Sequence, residues 1–228
     1  MLVLEGFPVE FNLESVIRSL RLEKKENAPD IARKLIEQAS QLIHPKALFK
    51  VSYIRGKEKD TVQIDDISFF SQVLRKNLDK VERVFPYVIT IGSTLEERTS
   101  SQGDLLQQYY LESLGDMALT LSEKYLEKHL KRHYGLEKLS SMSPGSLKDW
   151  PIQEQKPLFS LLGDVERLVG VRLTEKMLMV PRKSISGIFF PKEVTFLSCQ
   201  LCPRERCQAR TAPYDDKLRE RYGLEEVK

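Results

Sequence analysis

The residues with the most pointed chemistry stand near the C-terminal end: Cys199, Cys202 and Cys207, spaced C-x2-C-x4-C. Thiolates this close are soft ligands suited to zinc or an iron–sulfur cluster, with a fourth ligand from solvent, His133 or another molecule. Arg204, Arg206 and Arg210 accompany them and favour thiolate over thiol. The other reading is three ordinary reduced thiols, because three cysteines without a fourth are a weaker signal than two C-x-x-C pairs. His129 and His133 have the four-residue spacing of a helical two-histidine metal site, but no glutamate pattern accompanies them. They read better as solvated helix-end histidines, and His44 likewise.

A second group of motifs lies just upstream. In order it comprises Pro144-Gly145, Leu173-Thr174-Glu175, Met179-Val180-Pro181, and Ser184-Ile185-Ser186-Gly187 followed by Phe189-Phe190. Each piece alone is a common turn or strand-edge signal. Together, in this order and at these intervals, they resemble the reactivation (activation) domain of cobalamin-dependent methionine synthase. The resemblance implies an α+β fold, a twisted antiparallel sheet packed against a long central helix, and a partner that carries cobalamin. In that family S-adenosylmethionine lies beside the Pro-Gly loop, whose signature is Arg-x-x-Pro-Gly-Tyr. Here the loop reads Ser141-Met142-Ser143-Pro144-Gly145-Ser146, and the acidic position of the long helix falls on Thr120. A serine cannot replace the two-pronged arginine clamp on a carboxylate, so the comparison argues against S-adenosylmethionine binding. The family's Ala-Leu-Ala-Asp, whose acid faces the cobalamin module, corresponds to Ser113-Leu114-Gly115-Asp116. Asp116 is thus a candidate contact to the cobalamin module, or else a solvated helical carboxylate.

Joined together, these departures suggest a stand-alone reactivation-domain-like protein that serves a separate corrinoid protein in trans, a methionine synthase or a related methyltransferase. With the methyl-donor loop degenerate and a thiolate group added, the chain would support reductive reactivation by supplying or relaying an electron, with an electron donor as a further expected partner. One alternative is a non-catalytic docking module with structural zinc; another is intact S-adenosylmethionine-dependent reactivation. No residue is assigned a catalytic role.

Composition sets the frame. With 228 residues, 41% hydrophobic and 30% charged, the chain is read as one domain. Residues 1–103 match the family loosely, 104–196 carry the core resemblance, and 197–228 hold the cysteines and a charged tail helix. The net charge of +3 is nearly balanced, without the footprint of nucleic-acid binding. No apolar run is long enough to span a membrane and no signal peptide opens the chain. Three crowded cysteines fit a reducing compartment, which places the protein in the cytoplasm.

The elements that must position these residues can be read from periodicity. A strand precedes Asn12, which caps a helix carrying Leu13, Val16, Ile17 and Leu20; a second helix runs from Pro29 to His44-Pro45. Residues 47–54 read as a strand with a return at 61–64, and 67–78 as a helix. Residues 84–91 are the most strand-like run of this half, with Pro86 arguing for an edge position or the start of the strand. The longest helix spans 104–133, with Leu106, Tyr110, Leu114, Met117, Ala118, Leu121 and Tyr125 along one face. Gly115 within it costs about 1 kcal/mol relative to Ala and predicts close approach of another backbone. A loop over 135–150, a helix over 153–162, and strands at 177–180, 184–190 and 194–199 complete the reading.

Overall fold

The computed structural model describes residues 1–101, 103–192, 196–207 and 210–224. The chain opens with strand β1 (Leu2–Glu5) and helix α1 (Leu13–Ser19), whose cap Asn12 accepts from the Ser15 N–H. Helix α2 (Ala28–Leu42) carries Pro29 in its first turn, and β2 (Lys46–Phe49) starts after Pro45. The strand expected over 47–54 breaks at Lys50-Val51 and resumes as β3 (Ser52–Lys57), followed by β4 (Thr61–Ile64). Residues 67–78 are not one helix: they divide into β5 (Ile67–Phe70) and α3 (Gln72–Asn77). Asp65, at φ 49°, turns the chain so tightly that Ile64 pairs with Ile67, and the hairpin then overrides the helical spacing.

Strand β6 (Arg83–Thr90) leads to α4 (Thr94–Ser100) and then to α5 (Leu105–Tyr134), a 30-residue helix capped by Asp104 and ended by Gly135 in the left-handed region. Strand β7 (Leu139–Met142) lies inside the expected loop 135–150. After it come α6 (Gln155–Leu162), α7 (Val165–Val169), the hairpin β8 (Arg172–Leu173) and β9 (Met179–Val180), and β10 (Ser184–Pro191). Helix α8 (Asp216–Arg221) is the tail helix. The strand expected over 194–199 falls partly outside the described residues, and Ser198–Gln200 within it is a 3-10 turn.

The main sheet is antiparallel throughout, ordered β1-β2-β6-β3-β4-β5, with β10 on the other side of β6 and β7 beyond β10. Strand β6 is therefore central, and Pro86, its fourth residue, stands neither at a sheet edge nor at the strand's start as expected. Pro86 pairs with Ile188 on β10, and its carbonyl accepts from Lys50 N–H, at the break where β2 gives way to β3. A residue's N–H and C=O point to the same side of a strand, so the missing donor faces that break and no ladder bond is lost.

Both faces of β6 are covered, which is why it reads as a continuous apolar run. Val84 and Val88 pack with Ile188, Phe190 and residues of α3, α6 and α7. Phe85, Tyr87 and Ile89 pack with Phe189 and with Leu126 and Leu130 of α5. The N-terminal half of α5 leaves the sheet and packs on α1, α2 and α4 through Tyr110, Leu111, Leu114 and Ala118. The buried row therefore drifts around the helix, and Leu106, expected inside, is 52% exposed. No helix among the described residues is long and apolar enough to cross a membrane.

Candidate functional site

Asp116 projects from the middle of α5 with its side chain 72% exposed, and Lys183 Nζ stands 2.5 Å from its Oδ1. Lys183 itself is nearly enclosed, its side chain 11% exposed. It immediately precedes β10, and its carbonyl accepts from the Ile91 N–H, so β6 fixes the main chain from which the side chain reaches α5. The ammonium also meets Glu112 Oε2 at 2.9 Å and the Glu112 carbonyl at 3.1 Å. Burial alone would lower the Lys183 pKa, but Asp116 and Glu112 outweigh it and hold it above the ordinary lysine value. Burial also pushes Glu112 up, but Lys183, Thr99 and Arg182 more than reverse that, leaving it below the usual carboxylate value. Thr99 Oγ1 donates to Glu112 Oε1 at 3.0 Å, and Arg182 spans Glu96 and Glu112.

Gly115 makes this packing possible, though not by admitting a backbone as expected. A Cβ there would lie 3.1 Å from Leu95 Cδ2 and 3.3 Å from Lys183 Cε, so side chains fill the notch. Thr120, one turn further along, is exposed and donates its hydroxyl back to the Asp116 carbonyl.

The Pro144-Gly145 loop closes on itself. Ser146 donates both its N–H and its hydroxyl to the Ser143 carbonyl, at 3.1 and 2.6 Å, and the Gly145 N–H donates to the Trp150 carbonyl at 2.7 Å. The Ser146 hydroxyl is thus committed to the turn. Ser141 lies on β7 opposite Phe189. Next to this loop stands a pair that sequence reasoning missed: Tyr87 of β6 donates its phenol to Glu123 Oε1 of α5 at 2.7 Å. Burial raises the Glu123 pKa and the Glu127 charge adds to this, while the Tyr87 hydrogen bond and the Lys124 charge partly offset it. Burial and Glu123 raise the Tyr87 pKa, with the hydroxyls of Ser143 and Ser141 working the other way. Gly187 closes the same spot, since a Cβ there would fall 2.6 Å from the Met142 carbonyl and 2.9 Å from Tyr87 Oη. The available signal was Glu123 itself, three residues beyond Thr120 and so on a neighbouring part of the helix surface.

The three cysteines do not gather into a ligand cluster among the described residues. All three are free and partly buried, and no three His, Cys, Asp or Glu side chains converge on a common point among the described residues. The loop wraps instead around Arg210, whose guanidinium donates to the carbonyls of Cys199, Cys202, Arg204 and Ala212. Burial raises the Cys199 pKa, but hydrogen bonds from Thr211 and the Arg210 charge outweigh it and bring the thiol below its ordinary value. Cys199 Sγ accepts from both the N–H and the hydroxyl of Thr211 at 3.4 Å. His129 and His133 stack on α5 with ring centroids 5.7 Å apart, and His129 also meets the edge of Phe49.

Residues 36–210 match the sequence model of the family described as vitamin B12 dependent methionine synthase, activation domain. No curated protein sequence matches the chain. Among solved structures, the crystal structure of the MetH reactivation domain bound to AdoHcy is similar in fold, with a TM-score of 0.60 at 16% identity. That likeness covers 87% of this chain and 81% of the other. At such identity it speaks for the fold alone. The family match reaches back to residue 36, well ahead of the long helix where the motif resemblance is strongest.

Proposed function

The chain belongs to the activation-domain family of vitamin B12-dependent methionine synthases, and from that membership we propose that it docks on a cobalamin-carrying protein and supports reductive reactivation of its cobalt. The reading places docking at the exposed face of α5 around Asp116, and it takes the partner to be a separate corrinoid protein served in trans, in the cytoplasm. The observation that carries it is the exposed Asp116 carboxylate, held by an enclosed ammonium in the segment Ser113-Leu114-Gly115-Asp116. A carboxylate presented this way is a strong acceptor for an imidazole N–H. It would stabilise the partner's axial histidine once that ligand leaves the cobalt. Reduction of the partner's cob(II)alamin by one electron would draw on a separate low-potential donor, with this chain's Asp116 holding the released histidine meanwhile.

The cysteine loop is not given the electron-relay role, because its side chains do not converge as a ligand set. Iron and zinc analysis of protein purified without air, comparing wild type with Cys202→Ser, checks this directly. Stoichiometric metal lost in the variant would restore the relay or structural-zinc reading.

A second observation favours keeping the family's methyl donor in view. Glu123 and Tyr87 set a partly buried acid beside Ser141 and Ser143, where the ammonium or sulfonium of S-adenosylmethionine would find a counter-charge despite the missing arginine. Calorimetry with S-adenosylmethionine decides: binding that Glu123→Gln abolishes supports it, and no binding removes it.

The docking experiment titrates the full chain into a cob(II)alamin-loaded cobalamin fragment of a methionine synthase that lacks its own reactivation domain. The expected result is conversion of the cobalamin spectrum from the histidine-ligated to the unligated form, weakened in Asp116→Asn. An unchanged spectrum at saturating chain overturns the proposal.

A further inference from the structure

We infer that Lys183 is a positioning residue for docking: from its enclosed seat beneath Gly115 it holds one oxygen of Asp116 and so aims the exposed carboxylate at the partner. The inference rests on the docking reading above and adds to it a residue that cannot itself reach the partner. The contrast in accessibility carries the argument, for the Lys183 side chain is 11% exposed while that of Asp116 is 72% exposed. A lysine so placed acts through the group it holds.

Lys183 is fixed at both ends. Its carbonyl accepts from the Ile91 N–H at 3.2 Å, while its ammonium meets Asp116 Oδ1 at 2.5 Å, Glu112 Oε2 at 2.9 Å and the Glu112 carbonyl at 3.1 Å. Glu112 is itself tied to Thr99 and Arg182, and Arg182 to Glu96 by two bonds, from its N–H and its Nε. The ammonium therefore sits in a braced frame spanning α4, α5 and the start of β10. A free exposed aspartate would sample several rotamers, each equally able to meet solvent, and lose that freedom on docking. Pairing with Lys183 removes part of that loss in advance and leaves the second carboxylate oxygen for the partner. Gly115 belongs to the same device, because a methyl group there would stand 3.3 Å from Lys183 Cε and 3.1 Å from Leu95 Cδ2.

The test is a double-mutant cycle on the docking titration, using the full chain and the cob(II)alamin-loaded fragment. Lys183→Met keeps the apolar stem, removes the ammonium, and is expected to weaken docking about tenfold. Asp116→Asn weakens it at least as much, and the double variant Lys183→Met with Asp116→Asn is no weaker than Asp116→Asn alone, because Lys183 acts through Asp116. Gly115→Ala keeps every charge while crowding the lysine, and weakens docking in the same direction. Should Lys183→Met fail to fold, the Gly115→Ala arm with and without Asp116→Asn supplies the same cycle. Independent, additive effects overturn the inference, as does full docking by Lys183→Met alongside a weakened Asp116→Asn; docking is then retained without positioning. Equal docking by wild type and Asp116→Asn overturns the Asp116 reading itself, and the inference with it.

Discussion

The phenol of Tyr87 donates to Glu123 Oε1 over 2.7 Å, tying the middle of the central strand to the middle of the long helix. The hydroxyls of Ser141 and Ser143, leading into the Pro-Gly loop, act on the same phenol. Removing the phenol oxygen leaves a partly buried acid without its partner, so Tyr87→Phe is expected to destabilise the fold by about 1–3 kcal/mol at neutral pH. Urea unfolding of the two proteins measures it.

Glu123 also makes stability depend on pH. Its folded pKa is raised by burial above the ordinary value of 4.5, so in the window between them the folded chain binds more protons than the unfolded one. Stability therefore falls as pH rises through that window. In Glu123→Gln the fall disappears, and the variant gains on wild type between pH 4 and pH 8 in parallel denaturation curves. A constant difference across that range would contradict the assignment.

Glu112 behaves in the opposite sense. Lys183, Thr99 and Arg182 hold its folded pKa below the ordinary value of 4.5 despite burial, so the stability it contributes is present above that value and is lost as pH falls through the folded one. The advantage of wild type over Glu112→Gln should shrink on acidification, which the same curves extended to low pH would show.

Two glycines of the motif region should respond unequally to alanine. At Gly187 a Cβ would lie 2.6 Å from the backbone carbonyl of Met142, so β7 must move away from β10; the cost is expected near the upper end of about 1–3 kcal/mol. At Gly145 the nearest atom, at 2.8 Å, is the flexible tip of Ile152, and the strain comes instead from a φ of +84°. That left-handed backbone costs about 1–2 kcal/mol. Thermal melts should rank Gly187→Ala as the less stable variant.

The Cys199 thiol gives a test of the loop around Arg210. Thr211→Val removes the hydroxyl that donates to Sγ at 3.4 Å, so the thiol pKa should move up toward its ordinary value of 9.0. Alkylation of Cys199 below that pH slows accordingly, read by mass spectrometry. An unchanged rate would show that the N–H of Thr211 and Arg210 suffice.

What the sequence by itself determined was local: the cap at Asn12, the span of α5, the strands around Phe85 and Phe189, and the ordered motifs that announce the family. These follow from the helical period, from turn residues and from apolar runs, all legible over a few residues. The tertiary structure decided what depends on partners distant in the chain. Pro86 belongs to a central strand because a break in β2–β3 faces its missing donor, and Ile67–Phe70 is a strand because a hairpin at Asp65 supplies its ladder. Asp116 was visible as one acid on a helix, but Lys183, 67 residues further along, makes it an aimed carboxylate. Glu123 and Tyr87, 36 residues apart, meet only across the sheet–helix interface. The cysteines, close in sequence, form no cluster among the described residues, where the Arg210 guanidinium binds the carbonyls of Cys199 and Cys202. Spacing along a chain specifies local geometry, whereas burial and charge pairing arise only when separate elements pack, and the candidate site is made of the latter.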